Sequence, residues 1–365
     1  MIGSISSGGL PSSERWSVIE PILDATLALP LSERDEYLAR ACEDDRSLRE
    51  EIERLTKACE QAESDQSYLD QPAAVRFASL WDDRHERARF ESAIADRYEI
   101  DGELGAGGMA TVYRARDKRE GRLVALKVQR AASSAGVAAR FRREIALAAQ
   151  LEHARILRLL DSGECVGRLW YTMPLVAGES LGMLLRRDGR LGVPRAVSIL
   201  RDIAEALDFA HARGVVHRDL KPDNVLLADG RAMIADFGVA KAILTATVGA
   251  SANDDLRTAT GMTLGTPAYM SPEQSAGDKT ADHRTDLYAV GVIAYELLTG
   301  SPPFTASSRQ AMMTAHLAAR PRALSKHRRD VPPPLESLVM RLLEKRAADR
   351  PSSAAEVIAA LPRDE

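Results

Sequence analysis

Residues 217–224 read HRDLKPDN, and DFG follows at 236–238, twelve positions beyond Asn224. The first stretch comes directly after an amphipathic run, PRAVSILRDIAEALDFAHARG, which opens with Pro194 and stops at Gly214. Val197, Leu200, Ala204, Leu207 and His211 fall on one stripe of it, so it reads as a helix that feeds a polar loop. The segments VLLA and RAMIADFG then suggest a hairpin leading to Asp236. An aspartate beside a reacting hydroxyl can accept its proton, and an asparagine with a second aspartate supplies the oxygen ligands a small divalent cation prefers. Lys221, between Asp219 and Asn224, can offset phosphate charge. A polar loop capping a helix accounts for one or two such residues, not for the whole string.

On these two motifs the sequence strongly resembles the protein kinases, whose other landmarks occur in order along the chain. The resemblance implies ATP with Mg²⁺ (or Mn²⁺), Asp219 and Lys221 as catalytic residues, and Asn224 and Asp236 as metal ligands. GAGGMATVY (105–113) is, taken alone, as good a hairpin turn as a phosphate cradle. In a kinase, Leu104, Gly105, Ala106, Gly107, Gly108 and Val112 would lie over the nucleotide. Ala110 stands where the pattern has a third glycine, a change costing on the order of 1 kcal/mol if positive φ is not required. Lys127, in VALKV, would hold the α- and β-phosphates and pair with Glu144 of the RFRREI helix. Ala125, the gatekeeper Met173 and the hinge residues Pro174 and Val176 would receive the adenine. Pro174 keeps the carbonyl that a hinge uses at that position, so its missing N–H is harmless.

GTPAYMSPEQ (265–274) resembles the end of an activation segment, with Thr266 toward the substrate and Glu273 paired with Arg350. Asp286, in TDLYAVG, matches the aspartate that anchors the catalytic loop from a central helix. Lys221 and Thr266 follow the serine/threonine pattern, and the PEQ ending and short spacers resemble the bacterial eukaryotic-like (Hanks-type) serine/threonine kinases. Arg218 ahead of Asp219 implies switching by activation-loop phosphorylation, with Thr258 and Thr260 as the expected sites. Protein substrates follow, as does self-association for phosphorylation in trans. Asp223 and Glu179, near the peptide groove, suggest a basic substrate flank. A non-catalytic scaffold would be expected to lack Lys127, Asp219 or Asp236, and all three are present. A small-molecule phosphotransferase would have no use for a peptide-docking segment.

The implied fold is α+β and bilobal, with a β-rich N-lobe (97–176) and an α-rich C-lobe (177–363), preceded by an all-α extension. Ahead of the kinase-like region, 1–12 reads as a Ser/Gly-rich disordered tail, 13–64 as a helical module and 65–96 as a polar linker with some helix. Within the module Trp16, Ile19, Leu23 and Leu27 share one face; a second helix after Pro30 is expected to be capped by Ser32; Leu48, Ile52, Leu55 and Cys59 stripe a third. Up to Arg97 there are 12 Lys/Arg against 21 Asp/Glu, and beyond it 37 against 32. That near balance, without a basic run, argues against nucleic-acid binding. No window is apolar enough for a membrane span, and three scattered cysteines argue against a disulfide framework, so a cytoplasmic protein is expected.

Overall fold

The structure, a computed structural model, describes residues 22, 25–26, 29, 31–42, 45–46, 48–50, 52–53, 56, 87–106, 110–132, 141–142, 145–237, 267–278, 280–306 and 308–362. They fall into two compact units, Met1–Ser92 and Ala93–Glu365. In the first, helix α1 (Leu31–Ala41) buries Leu38, and Cys42, Leu48 and Ile52 are buried beside it in sequence. The helix begins at Leu31, so Ser32 lies inside its first turn and is not the cap the sequence suggested. Trp16, Ile19, Leu23, Leu27, Leu55 and Cys59 lie outside the described residues. Residues 87–94 are helical.

The second unit opens with five antiparallel strands: β1 (Tyr98–Ala106), β2 (Ala110–Asp117), β3 (Leu123–Ala132), β4 (Asp161–Cys165) and β5 (Arg168–Pro174), in the order β1-β2-β3-β5-β4. Period-two alternation drives them: β2 buries Ala110, Thr111, Tyr113, Ala115 and Asp117, largely every second residue. Phe141, Ile145 and Ala148 pack with Leu159, Leu169 and Tyr171. Leu151, a little further along, joins the larger helical core instead.

That core surrounds α3 (Val193–His211) and α5 (Arg284–Thr299). Every residue of α5 from Thr285 to Tyr295 is buried, so it is hydrophobic nearly all round and takes a central position. Its end is set by Gly300, which adopts φ 83° and caps the helix by donating to Glu296 O. The remaining helices are α2 (Leu181–Asp188), the single turn α4 (Pro272–Ser275), α6 (Arg309–Ala318), α7 (Pro333–Leu342) and α8 (Ala354–Ala360). A smaller sheet consists of β6 (Glu179–Ser180), just ahead of α2, and of β7 (Val225–Ala228) and β8 (Arg231–Ile234), between α3 and α4 in the chain. Its β7–β8 hairpin turns at Asp229-Gly230, both at positive φ, which gives the two-residue turn that matches strand twist.

Candidate active site

Between the two sheets sits an apolar cluster of Ala125, Leu157, Met173 and Ala235, with Val112, Leu175, Val176 and Leu226 packed against it. Val112, Ala125, Met173 and Val176 were expected in a nucleotide pocket, and the fold brings them together. The pairing of β3 with β5 sets Ala125 opposite Met173 and Val124 opposite Pro174. Leu157, Leu226 and Ala235 were not anticipated. Leu226 lies two residues past Asn224, but only the hairpin turns it toward this cluster. Leu104 is not part of the cluster; it stands half-exposed on β1. Gly105 and Ala106 close β1, while Gly107 and Gly108 lie outside the described residues. A side-chain carbon at Gly105 would meet no neighbour within 4 Å. Ala110 is an ordinary strand residue paired with Gln129 and is absent from the positive-φ positions, so a glycine is not required there.

Close in sequence to the cluster members Ala125 and Ala235, Lys127 and Asp236 meet directly, Nζ to Oδ2 at 2.5 Å. The other carboxylate oxygen, Oδ1, accepts from the buried Tyr171 hydroxyl at 2.7 Å. Burial alone would raise the Asp236 carboxyl, but the Lys127 charge and the hydrogen bonds from Lys127 and Tyr171 outweigh it and hold the group below its usual value. Asp236 adopts φ 65°, a left-handed conformation uncommon outside glycine. Glu144, the expected partner of Lys127, lies outside the described residues.

In the loop at 217–224, Lys221 Nζ lies 3.0 Å from Asp219 Oδ2. Asn224 Nδ2 donates to the Asp219 carbonyl at 2.7 Å and to its Oδ2 at 3.3 Å, which leaves the amide oxygen of Asn224 as an acceptor. The two polar groups are tied through backbone: Ala235 N donates to Asn224 O at 2.8 Å. His217, fully buried, spans the same gap. Its Nε2 donates to Ala235 O at 2.8 Å and its Nδ1 accepts from Asp219 N at 3.2 Å.

Asp286 fixes the loop from beneath. Its carboxylate accepts from the backbone of His217 and of Arg218, each at 2.8 Å, and contacts His211 Nε2 at 2.8 Å. Burial pushes its pKa up, but these contacts reverse the direction and keep it ionised. They also hold Arg218 at φ 68°, another left-handed non-glycine residue. His211 thus serves Asp286 and is not simply part of an apolar stripe. Gln274 Nε2 adds a bond to the Arg218 carbonyl at 2.7 Å, a link the sequence did not reveal. Its neighbour Glu273 receives both terminal nitrogens of Arg350, at 2.7 and 2.8 Å. Thr258, Thr260 and Thr266 lie outside the described residues. Glu179 and Asp223 are each already met by an arginine of α2, Arg187 at 2.7 Å and Arg186 at 3.3 Å.

An apolar slot flanked by a lysine–carboxylate pair and by an Asp/Lys/Asn group suits a phosphorylated ligand with a planar apolar head. The Asp236 carboxylate and the free amide oxygen of Asn224 form an all-oxygen donor set, which fits a hard divalent cation. Residues 98–360 match the family model described as the protein kinase domain. The chain belongs to the protein kinase family. The kinase domain is 40% identical over 273 residues to serine/threonine-protein kinase pkn3 of Myxococcus xanthus, a match covering 72% of this chain and 48% of that protein. It is also 40% identical over 277 residues to serine/threonine-protein kinase PknB of Mycolicibacterium smegmatis, covering 74% of this chain and 43% of the relative. A third relative, serine/threonine-protein kinase PknD of Mycobacterium tuberculosis, is 40% identical over 260 residues, covering 70% and 37%. The chain therefore spans less than half the length of these relatives. Among the described residues no helix is long and apolar enough to cross a membrane.

Proposed function

We propose that the kinase domain transfers the γ-phosphoryl group of ATP to serine and threonine hydroxyls of proteins. The observation that carries this reading is the apolar slot around Ala125 and Met173 together with two polar groups joined to each other through Ala235 and His217, namely Lys127–Asp236 and Asp219–Lys221–Asn224. Ala125, Met173, Val176 and Val112 enclose the adenine, the Pro174 carbonyl accepts from it, and Leu104 with the 105–108 turn lies over the phosphates. Lys127 leaves Asp236 to meet the α- and β-phosphates, with Glu144 as its second partner. Asp219 orients the acceptor hydroxyl and takes its proton, while Lys221 offsets the charge of the transferred group. Asn224 and Asp236 hold Mg²⁺ or Mn²⁺, which neutralises phosphate charge when bound. The serine/threonine preference is supported by the names of the relatives and by Lys221 standing against Asp219.

Glu273, Arg350 and Asp286 keep the loops in place. Thr266 borders the acceptor, and phosphorylation of Thr258 or Thr260, between copies of the chain, places negative charge where Arg218 can pair with it. Because ATP is the donor, the domain works on the cytoplasmic side. The catalytic unit is assigned to 97–363, following a 65–96 linker and a 13–64 helical module. The test is incubation of the purified chain with Mg²⁺ and γ-labelled ATP beside Asp219→Asn, with phosphosites mapped by mass spectrometry. Label on threonine that falls about 10²–10⁴-fold in the variant is expected. Nucleotide binding without transfer, either to the chain or to a generic protein acceptor, would overturn the reading in favour of a scaffold.

A further inference from the structure

Strand β5 turns Leu169, Tyr171 and Met173 to one side by simple alternation. Leu169 and Tyr171 pack among Phe141, Ile145, Ala148 and Leu159, and Met173 joins the slot. An aliphatic residue would suit position 171, and a hydroxyl buried among apolar neighbours is costly unless it finds a partner. Tyr171 has no exposed surface, and its hydroxyl donates to Asp236 Oδ1 at 2.7 Å. Its partner across the sheet is Lys127, whose Nζ lies 5.9 Å from the ring centroid and 2.5 Å from Asp236 Oδ2. Two adjacent strands thus deliver one donor to each oxygen of a single carboxylate.

The two donors are not equivalent. The Lys127 ammonium is a charge on a long stem, and it competes with a cation for the same oxygen. The Tyr171 hydroxyl is neutral, sits on a buried ring and occupies one lone pair of Oδ1, so it adds no repulsion toward a cation. Resting on the assignment of Asp236 as a metal ligand, we infer that Tyr171 is a positioning residue that fixes the Asp236 carboxylate for the divalent cation, chiefly once Lys127 has turned to the phosphates. Without the hydroxyl, a carboxylate on a left-handed backbone residue keeps its ligand chemistry and loses its fixed rotamer.

Tyr171→Phe removes the oxygen and keeps the ring, so the fold should be retained. With the full chain, Mn²⁺ binding is followed by its paramagnetic resonance in the presence of a non-hydrolysable ATP analogue. Nucleotide binding without metal is followed separately in a chelator. The variant should raise the Mn²⁺ concentration at half-saturation about 10- to 150-fold, the range expected for a lost bond to a charged group, and leave metal-free nucleotide affinity within about twofold. Tyr171→Leu should show the same split and keeps the test standing if the phenylalanine variant does not fold. An unchanged Mn²⁺ half-saturation overturns the inference, as does an equal loss of metal-free nucleotide binding, which would make Tyr171 part of the nucleotide pocket. Asp236→Asn in parallel separates the two levels. If it abolishes Mn²⁺ binding while Tyr171→Phe does nothing, only the positioning role fails. If it leaves Mn²⁺ binding intact, the assignment of Asp236 fails with it.

Discussion

Replacing Arg350 by methionine should unfold this kinase domain more readily than any surface change. The guanidinium has no exposed surface, and all five of its donor positions are engaged. Two bonds go to Glu273, and the others reach the carbonyls of Arg284, Glu344 and Lys345 at 2.8–3.0 Å. The group also lies 4.9 Å from the Tyr288 ring centroid. Arg350 thereby joins the turn α4, the start of α5 and the segment ahead of α8. Methionine fills much of the volume but leaves Glu273, whose side chain is 12% exposed, with a charge that has lost its cation and keeps its own backbone N–H and the Thr285 hydroxyl at 2.9 Å. Removing one member of a buried ion pair costs about 3–5 kcal/mol. For a domain of this size that is a fall in melting temperature of about 10 °C. Circular dichroism melts of wild type, Arg350→Met, Glu273→Gln and the double variant supply the cycle. The double variant should be more stable than Arg350→Met alone, because no uncompensated charge remains. The pair also sets a pH dependence. Burial would raise the Glu273 pKa, but Arg350 and the hydrogen bonds lower it, so its contribution is present above the ordinary glutamate range and lost as pH falls through the depressed value. A loss below about 1 kcal/mol, the scale of an exposed ion pair, would refute the reasoning, as would a double variant no better than the single one.

Ala110→Gly should cost about 0.5–1 kcal/mol of stability and leave the KM for ATP unchanged, since Ala110 is a regular strand residue; a markedly lower KM would show that a third glycine matters. Asp286→Ala removes the acceptor of two backbone N–H groups in the catalytic loop and should reduce kcat at least about 100-fold, read by a steady-state peptide assay, with smaller change in ATP affinity. His316 is buried beside Tyr288 and Lys345, and burial with the Lys345 charge lowers its pKa to about 4. The unfolded chain therefore takes up a proton that the folded chain refuses, and stability should fall as pH drops from about 6.5 toward 4, by no more than about 3 kcal/mol. Urea titrations of wild type and His316→Gln across that interval measure it, and parallel slopes would exclude His316. Arg186→Ala with Arg187→Ala uncovers Asp223 and Glu179 and should raise kcat/KM for peptides with basic flanks over neutral ones several-fold, measured by peptide-array phosphorylation.

The chemistry-bearing residues were legible in the sequence because they sit in short, local strings. Asp219, Lys221 and Asn224 share one loop, and Asp236 follows one hairpin later, so spacing alone constrains their geometry. The central helix was equally legible, since Leu287, Val290, Ala294 and Leu297 follow helical period. Local spacing says nothing about partners contributed by distant segments. Lys127 facing Asp236, Tyr171 beneath both, Gln274 on the Arg218 carbonyl and His211 under Asp286 depend on strand register and on helices meeting across the core. The capping of α1 was misread for a related reason: Ser32 has the right side chain for a cap, yet the helix starts at Leu31. The sequence by itself determined which atoms are available for chemistry, because composition and short-range order are written in it. Which of those atoms meet was settled by tertiary structure, because the contacts of β3 and β5 with Asp236, and of Gln274 and His211 with their partners, join residues 56 to 109 positions apart, and only folding brings them within hydrogen-bond reach.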